Sequence, residues 1–213
     1  TQWETIMGDT GVNAHREPWN KGKIGGRKAP FKIKDICALR VRFQMEHRVR
    51  EFALFNLGID SKLRACDLVT LKVRNACHER LVATRAIVLQ DETKCPVQFE
   101  IMPATRDALQ AWTKQAGLKL DDFIFPSRRH DSSHLGSRQY ARILRHWIDG
   151  LGLDRADYGT HSMHRTKATQ IYRRTKNLRA VYLLPGHSKL ESTVRYLGIE
   201  VDDALEIFEH REI

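Results

Sequence analysis

The sequence predicts a mainly α protein with a small three-stranded antiparallel β-sheet, an α+β architecture. Three observations carry that expectation. Apolar residues recur at helical spacing on both sides of the middle of the chain. Between residues 70 and 101 the period shifts to alternation and β-branched residues become frequent. With 41% hydrophobic and 29% charged residues over 213 positions, the chain holds enough apolar material for one sizeable core.

The elements follow in order. Residues 1–30 mix Gly, Pro, Asn and charge without an apolar period, and "NKGKIGGRKAP" reads as a flexible basic arm suited to lie along phosphates. The rest, 31–213, reads as one domain with a helical C-terminal tail. From Phe31 to Leu57 the spacing of Ile33, Ile36, Cys37, Leu39, Val41, Phe43, Val49, Phe52, Ala53 and Phe55 predicts two helices, with "NLGID" as the stop. A short helix is expected around "RACDLVTL". "TLKVRNA", "LVATRAIVLQ" and "PVQFEIM" predict three strands, with turns near "CHER" and "DETKC". A helix over 104–116 would bury Ala104, Ala108, Leu109 and Trp112. "FIFPSRRHDSSHLGS" reads as a loop. From Ser137 to Asp149, Tyr140, Ile143, Leu144, Trp147 and Ile148 form the stripe of an amphipathic helix. Thr160 or Ser162 would cap the next helix, running to about Lys176. Further helices are expected from Asn177 to Pro185-Gly186 and through "LESTVRYLG" and "DDALEIFEH".

Composition narrows the partners. The formal charge is +10, yet residues 199–213 carry six acids against Arg211 alone, so the remainder is more basic than the total. Residues 160–180 hold six Lys or Arg and no acid. A long polyanion is the simplest partner for such a face. No run of about 18 apolar residues is present, so no membrane span is expected. The first residues lack the apolar segment of a signal peptide, so the expected location is the cytoplasm, with the nucleoid. Cys37, Cys66, Cys77 and Cys95 form no CxxC pair, and are expected to be reduced and mostly buried.

The stretch "HSMHRTKAT", residues 161–169, concentrates the question of function. His161 and His164 stand at i, i+3 and would share a helix face, as two metal ligands do. Six basic residues without an acid around them oppose a cation, so neither a metal nor a cofactor is expected.

"GTHSMHRTKAT" followed by "LLPGHSKLESTVRYLGI" resembles the catalytic core of the tyrosine recombinases, the phage-integrase family. His187 precedes Tyr196 by nine residues, as that family's Gly-His segment requires. "KLRACDL" is similar to its early box, with Arg64 followed three residues on by Asp67. The resemblance covers roughly residues 35–205. It implies the recombinase catalytic-domain fold, double-stranded DNA as partner, a homo-tetramer assembled on DNA, and breakage and rejoining through a 3′-phosphotyrosine on Tyr196.

The residue types suit that chemistry. Cutting a phosphodiester without metal needs a nucleophile, cationic stabilisation of a phosphorane-like transition state, and an acid for the leaving oxygen. Tyr196 would attack. Arg64 would bind non-bridging oxygens with its guanidinium fork. His161 would act as base or hold the phosphate, His187 would donate to it, and Lys94 would protonate the 5′ oxygen. Lys167, Arg173, Arg174 and Lys176 would meet the DNA backbone.

Three positions depart from the family pattern. Its His-x-x-Arg box would place arginine where His164 stands; Arg165 follows one residue later, about 100° further round a helix. Arg165 is nevertheless carried as the candidate second guanidinium. In strict register the hairpin lysine is Glu92, and Lys94 lies two residues on. Pro185 interrupts the helix before His187. Weakened cleavage is therefore expected. The alternative is an integrase-like DNA-binding or regulatory module without chemistry. The first 30 residues are too short for a second DNA-clamping domain, so site recognition is expected to lean on the arm or on partners. In this family the C-terminal helix often docks on a neighbouring protomer; packing on its own domain is the alternative for Val201, Leu205 and Phe208.

Overall fold

The computed structural model describes residues 28–78, 81–128 and 132–177. Seven helices and four short strands occupy that span. The expected helices beyond Asn177, with His187, Tyr196 and the acidic tail, lie outside the described residues.

Helices α1 (Ile33–Met45) and α2 (Val49–Ser61) form the expected pair. The Lys32 amide donates to Asp35 Oδ2 at 3.2 Å, tying off the start of α1. "NLGID" does not stop α2. It is the last part of that helix, which ends at Lys62 in the left-handed region with φ 55°. Gly58 sits inside the helix because other elements come close there. A Cβ on it would lie 2.9 Å from Met163 Cε and 3.0 Å from the Tyr140 hydroxyl. The glycine therefore marks packing of α2 against two other helices, not a chain reversal.

Helix α2 is the centre of the domain, packed against α1, α5 (Pro103–Gln115) and α7 (Thr160–Thr175). Phe43 of α1, Phe55 of α2 and Trp147 of α6 (Ser137–Gly150) meet edge-on, with ring centroids 5.2–5.8 Å apart, and Phe31 adds a fourth ring beside Phe55. Helices α5 (Pro103–Gln115) and α6 (Ser137–Gly150) lie close to their expected spans. On α6 Tyr140, Leu144, Trp147 and Ile148 are buried as the stripe implies. On α5, Ala104 is exposed, and the buried residue of the first turn is Thr105, whose hydroxyl donates to Asp60 Oδ2 at 2.6 Å.

The β region departs from three strands. α3 (Ala65–Val69) is followed by one helical turn, α4 (Val73–Ala76), where the first strand was expected. Lys72 N donates to Asn75 Oδ1 at 2.8 Å and caps that turn. The backbone around it pairs with residues 120–124 through Val73 N to Asp122 O and Ile124 N to Leu71 O. β1 (Cys77–His78) pairs antiparallel with β2 (Leu81–Val82), and β3 (Arg85–Leu89) with β4 (Pro96–Glu100). The sheet is thus two short ladders, and the turn between β3 and β4 falls over residues 91–93, within the expected "DETKC". Ala86, Val97 and Phe99 face the core, while Ile87 and Leu89 stay exposed.

Helix α7 (Thr160–Thr175) is capped by neither expected residue. Gly159 is its N-cap, with extended backbone, and its amide donates to Ser162 Oγ at 3.1 Å. All four cysteines are free, but only Cys77 is buried; Cys37 and Cys95 are exposed, contrary to the expectation of mostly buried thiols. Among the described residues no helix is long and apolar enough to cross a membrane.

Candidate functional site

Arg64 is the N-cap of α3, placed there by the reversal at Lys62 that ends α2. One helical turn on, Asp67 is buried at 2% exposure. Its Oδ1 accepts the Asp91 amide at 3.0 Å, which fastens the turn between β3 and β4 to α3. That turn closes on itself. Gln90 N donates to Cys95 O at 3.0 Å, Lys94 N to Gln90 O at 2.9 Å, and Thr93 Oγ1 to Gln90 Oε1 at 2.9 Å. Arg64 and the hairpin turn are therefore neighbours, as the resemblance implies.

What the turn offers Arg64 is a carboxylate. Glu92 Oε2 accepts a hydrogen bond from Arg64 Nη1 in an ion pair with 37% and 70% of the two side chains exposed. Lys94 stands in the left-handed region with φ 52°, and its ammonium lies 3.7 Å from Asp91. Its side chain is 71% exposed.

Helix α7 presents two unlike faces. His161 is exposed, His164 and Lys167 are partly exposed and Arg174 is exposed, all on one ridge of i, i+3 and i+7 steps. Ser162, Met163, Arg165, Thr166, Thr169 and Tyr172 form the buried face. Arg165 is only 7% exposed, and its Nη1 donates to the Lys28 carbonyl at 2.6 Å. Thr166 Oγ1, beside it, accepts the Phe31 amide at 2.9 Å. Ala29 N donates to Asp157 O at 2.7 Å. Residues 28–31 are thus docked on α7 and on the turn before it, and Arg165 serves that docking. Sequence spacing alone could not separate His164 from Arg165; the apolar partners of α7 do, by fixing which side is inward.

Lys167 is not a free surface cation. Its Nζ lies 3.0 Å from Asp60 Oδ1, with 17% and 4% of the two side chains exposed. Asp60 Oδ2 accepts from Met102 N at 3.0 Å and from Thr105. Lys62 is 5% exposed in the same region. Burial pushes its ammonium down to about 8, the charge of Lys167 adds to that, and Asp60 and Glu100 oppose it. Lys62 and Asp60 carried no signal in the sequence beyond their nearness to Arg64. At the far end of α7, Arg173, Arg174 and Lys176 are exposed, and Lys176 Nζ stands 6.0 Å from the Tyr172 ring centroid.

A second basic region was missed in the sequence because its parts are far apart. Arg48, Arg50, Arg128, Arg138 and Arg142 surround a depression of about 500 Å³ beside the start of α6, with Glu51 as the acid among its lining residues. Glu51 lies 3.5 Å from Arg48 and 3.6 Å from Arg128. The first turn of α6 contains no acid, so its positive end adds to the field.

Comparison with known proteins gives the family and the fold. The model described as the phage integrase family matches residues 32–201. A probable integrase/recombinase of Bacillus subtilis (strain 168), YoeC, is 28% identical over 162 residues, covering 76% of this chain and 84% of that protein. The crystal structure of XerA recombinase superposes with a TM-score of 0.70 at 15% identity, over 88% of this chain and 67% of that one. The XerH site-specific recombinase, in its post-cleavage complex with palindromic difH substrate, gives 0.66 at 17% identity, over 86% of this chain and 54% of its own. At these identities the two structures establish the fold: that of a tyrosine recombinase catalytic domain.

Proposed function

This chain belongs to the phage integrase family, the tyrosine recombinases, and from that premise we propose that it is a site-specific DNA recombinase, working through a 3′-phosphotyrosyl intermediate, whose cleavage step is weak. The observation that carries the weakness is the turn of α7. The half-exposed ridge beside His161 carries His164, while Arg165 lies on the buried face of the helix, 7% exposed, with its Nη1 donating to the Lys28 carbonyl. Histidine is mostly neutral at pH 7 and has no bidentate fork. One of two phosphate-clamping guanidiniums is thereby absent.

In this reading Arg64 and His161 hold the scissile phosphate, Tyr196 attacks it and His187 donates to the same oxygens. Lys94 protonates the departing 5′ oxygen once its exposed side chain leaves Asp91. Bond energy is kept in the phosphotyrosyl ester, so rejoining needs no nucleotide cofactor. Arg173, Arg174, Lys176 and, around the start of α6, Arg48, Arg128, Arg138 and Arg142 supply sequence-independent phosphate contacts, while Arg50 is buried with its Nη2 on the Pro126 carbonyl. Assembly as a homo-tetramer on DNA belongs to the same proposal.

The pairing of Arg64 with Glu92 favours a second reading, a DNA-binding module without chemistry, because it leaves the phosphate site neutralised. A nicked suicide substrate separates the two. Slow covalent capture that vanishes in Tyr196→Phe, with duplex affinity unchanged, supports the recombinase. Capture indistinguishable between the two proteins overturns it.

A further inference from the structure

We infer that Glu92 is a phosphate mimic: its carboxylate occupies the seat on Arg64 that a backbone phosphate must take, so each DNA-binding event begins by displacing it. This deepens the reading of Arg64 as a phosphate-binding group and rests on it.

The pairing is set by backbone, not by a wandering side chain. Asp67 is three residues after Arg64, in the first turn of the helix that Arg64 caps, and it grips the amide of Asp91, the residue before Glu92. The turn carrying Glu92 is held by three further hydrogen bonds of its own. Arg64 and Glu92 are thus attached to the same rigid corner, and the pair closes without any element moving. Lys94, the other charged end of the turn, is directed to Asp91. The groups that the corner turns toward Arg64 and Lys94 are carboxylates.

The chemistry of exchange is direct. A carboxylate presents two oxygens to a guanidinium fork much as two non-bridging phosphate oxygens do. Glu92 is exposed and Arg64 partly so, at 70% and 37% of their side chains, so the pair is screened and weak, and a polyanion displaces it. Displacement leaves Glu92 beside the incoming phosphate, where like charges repel. Glu92 therefore acts twice, first by occupying Arg64 and then by opposing its replacement. It lowers affinity for every duplex and discriminates against contacts too weak to expel it.

A double-mutant cycle on the full chain tests this, using a short fluorescein-labelled duplex of mixed sequence and anisotropy at several salt concentrations. Glu92→Gln is expected to tighten binding about three- to tenfold and to steepen the salt dependence by about one ion. In the Arg64→Ala background the same change should gain less than about twofold, because no guanidinium remains to be freed. No gain in the parent, or an equal gain in both backgrounds, overturns the inference. If Arg64→Ala alone leaves affinity unchanged, the phosphate-binding role of Arg64 fails first. Glu92 is at the surface, so an unchanged thermal melt for Glu92→Gln excludes a folding effect.

Discussion

The ammonium of Lys167 lies 3.0 Å from Asp60 Oδ1, and that pair joins the helix carrying His161 to the end of the helix that leads into Arg64. Its position decides how α7 sits relative to the Arg64 corner. The carboxylate is nearly buried and its other oxygen holds Met102 N and Thr105 Oγ1, so it cannot turn to water when Lys167 is lost. Lys167→Met should therefore cost about 2–3 kcal/mol, less than a fully buried pair because two hydrogen bonds and the charge of Lys62 remain. Urea unfolding measures it; a loss below about 0.5 kcal/mol would mark Lys167 as an ordinary surface cation.

Lys62 gives the stability a pH dependence of definite sign. Its folded-state value, about 8, is below the ordinary 10.5. Below pH 8 both folded and unfolded chains carry the proton, and the folded chain bears the cost of a buried charge, roughly 3 kcal/mol at most. Between about 8 and 10.5 the unfolded chain binds more protons, so this contribution makes stability rise with pH. Lys62→Met should stabilise the protein by about 1–3 kcal/mol at pH 7, and the gain should shrink steadily toward pH 10. Unfolding free energies of both proteins across that range check it; a pH-independent difference contradicts it.

Arg165 belongs to the scaffold in this account. Arg165→Met removes the donor to the Lys28 carbonyl and should cost about 1–3 kcal/mol. Limited proteolysis should then cut near residue 28 more readily, while duplex affinity falls by less than about twofold, since no phosphate contact is lost. A large drop in affinity with unchanged proteolysis would return Arg165 to the DNA face.

Most of the framework was legible in the sequence, and the reasons for the exceptions are physical. The stripe on α6 and the helical spacing of α1 sufficed because each helix buries one face on a shared core. "NLGID" misled because a glycine that permits close packing looks the same in sequence as one that stops a helix; the approach of Met163 and Tyr140 is a tertiary fact. Residues 73–76 were misread as strand because Val73 has β propensity, whereas the Asn75 cap and pairing with residues 120–124 outweigh it. In the site, Arg64 and the hairpin were findable by motif, and they do adjoin. The partners that govern them were not. Glu92, Asp60 and the fixed face of α7 act through contacts 28, 107 and 137 residues apart along the chain.

Under the proposed function, His164 stands where a phosphate-clamping arginine is needed and Arg165 does not replace it. The rate of covalent capture on a nicked suicide duplex, parent against His164→Arg, tests this most directly. Slow capture by the parent is expected, with an increase of about a hundredfold or more in His164→Arg, the scale of restoring one oxyanion-stabilising donor. Rapid capture by the parent, unimproved by His164→Arg, would contradict it.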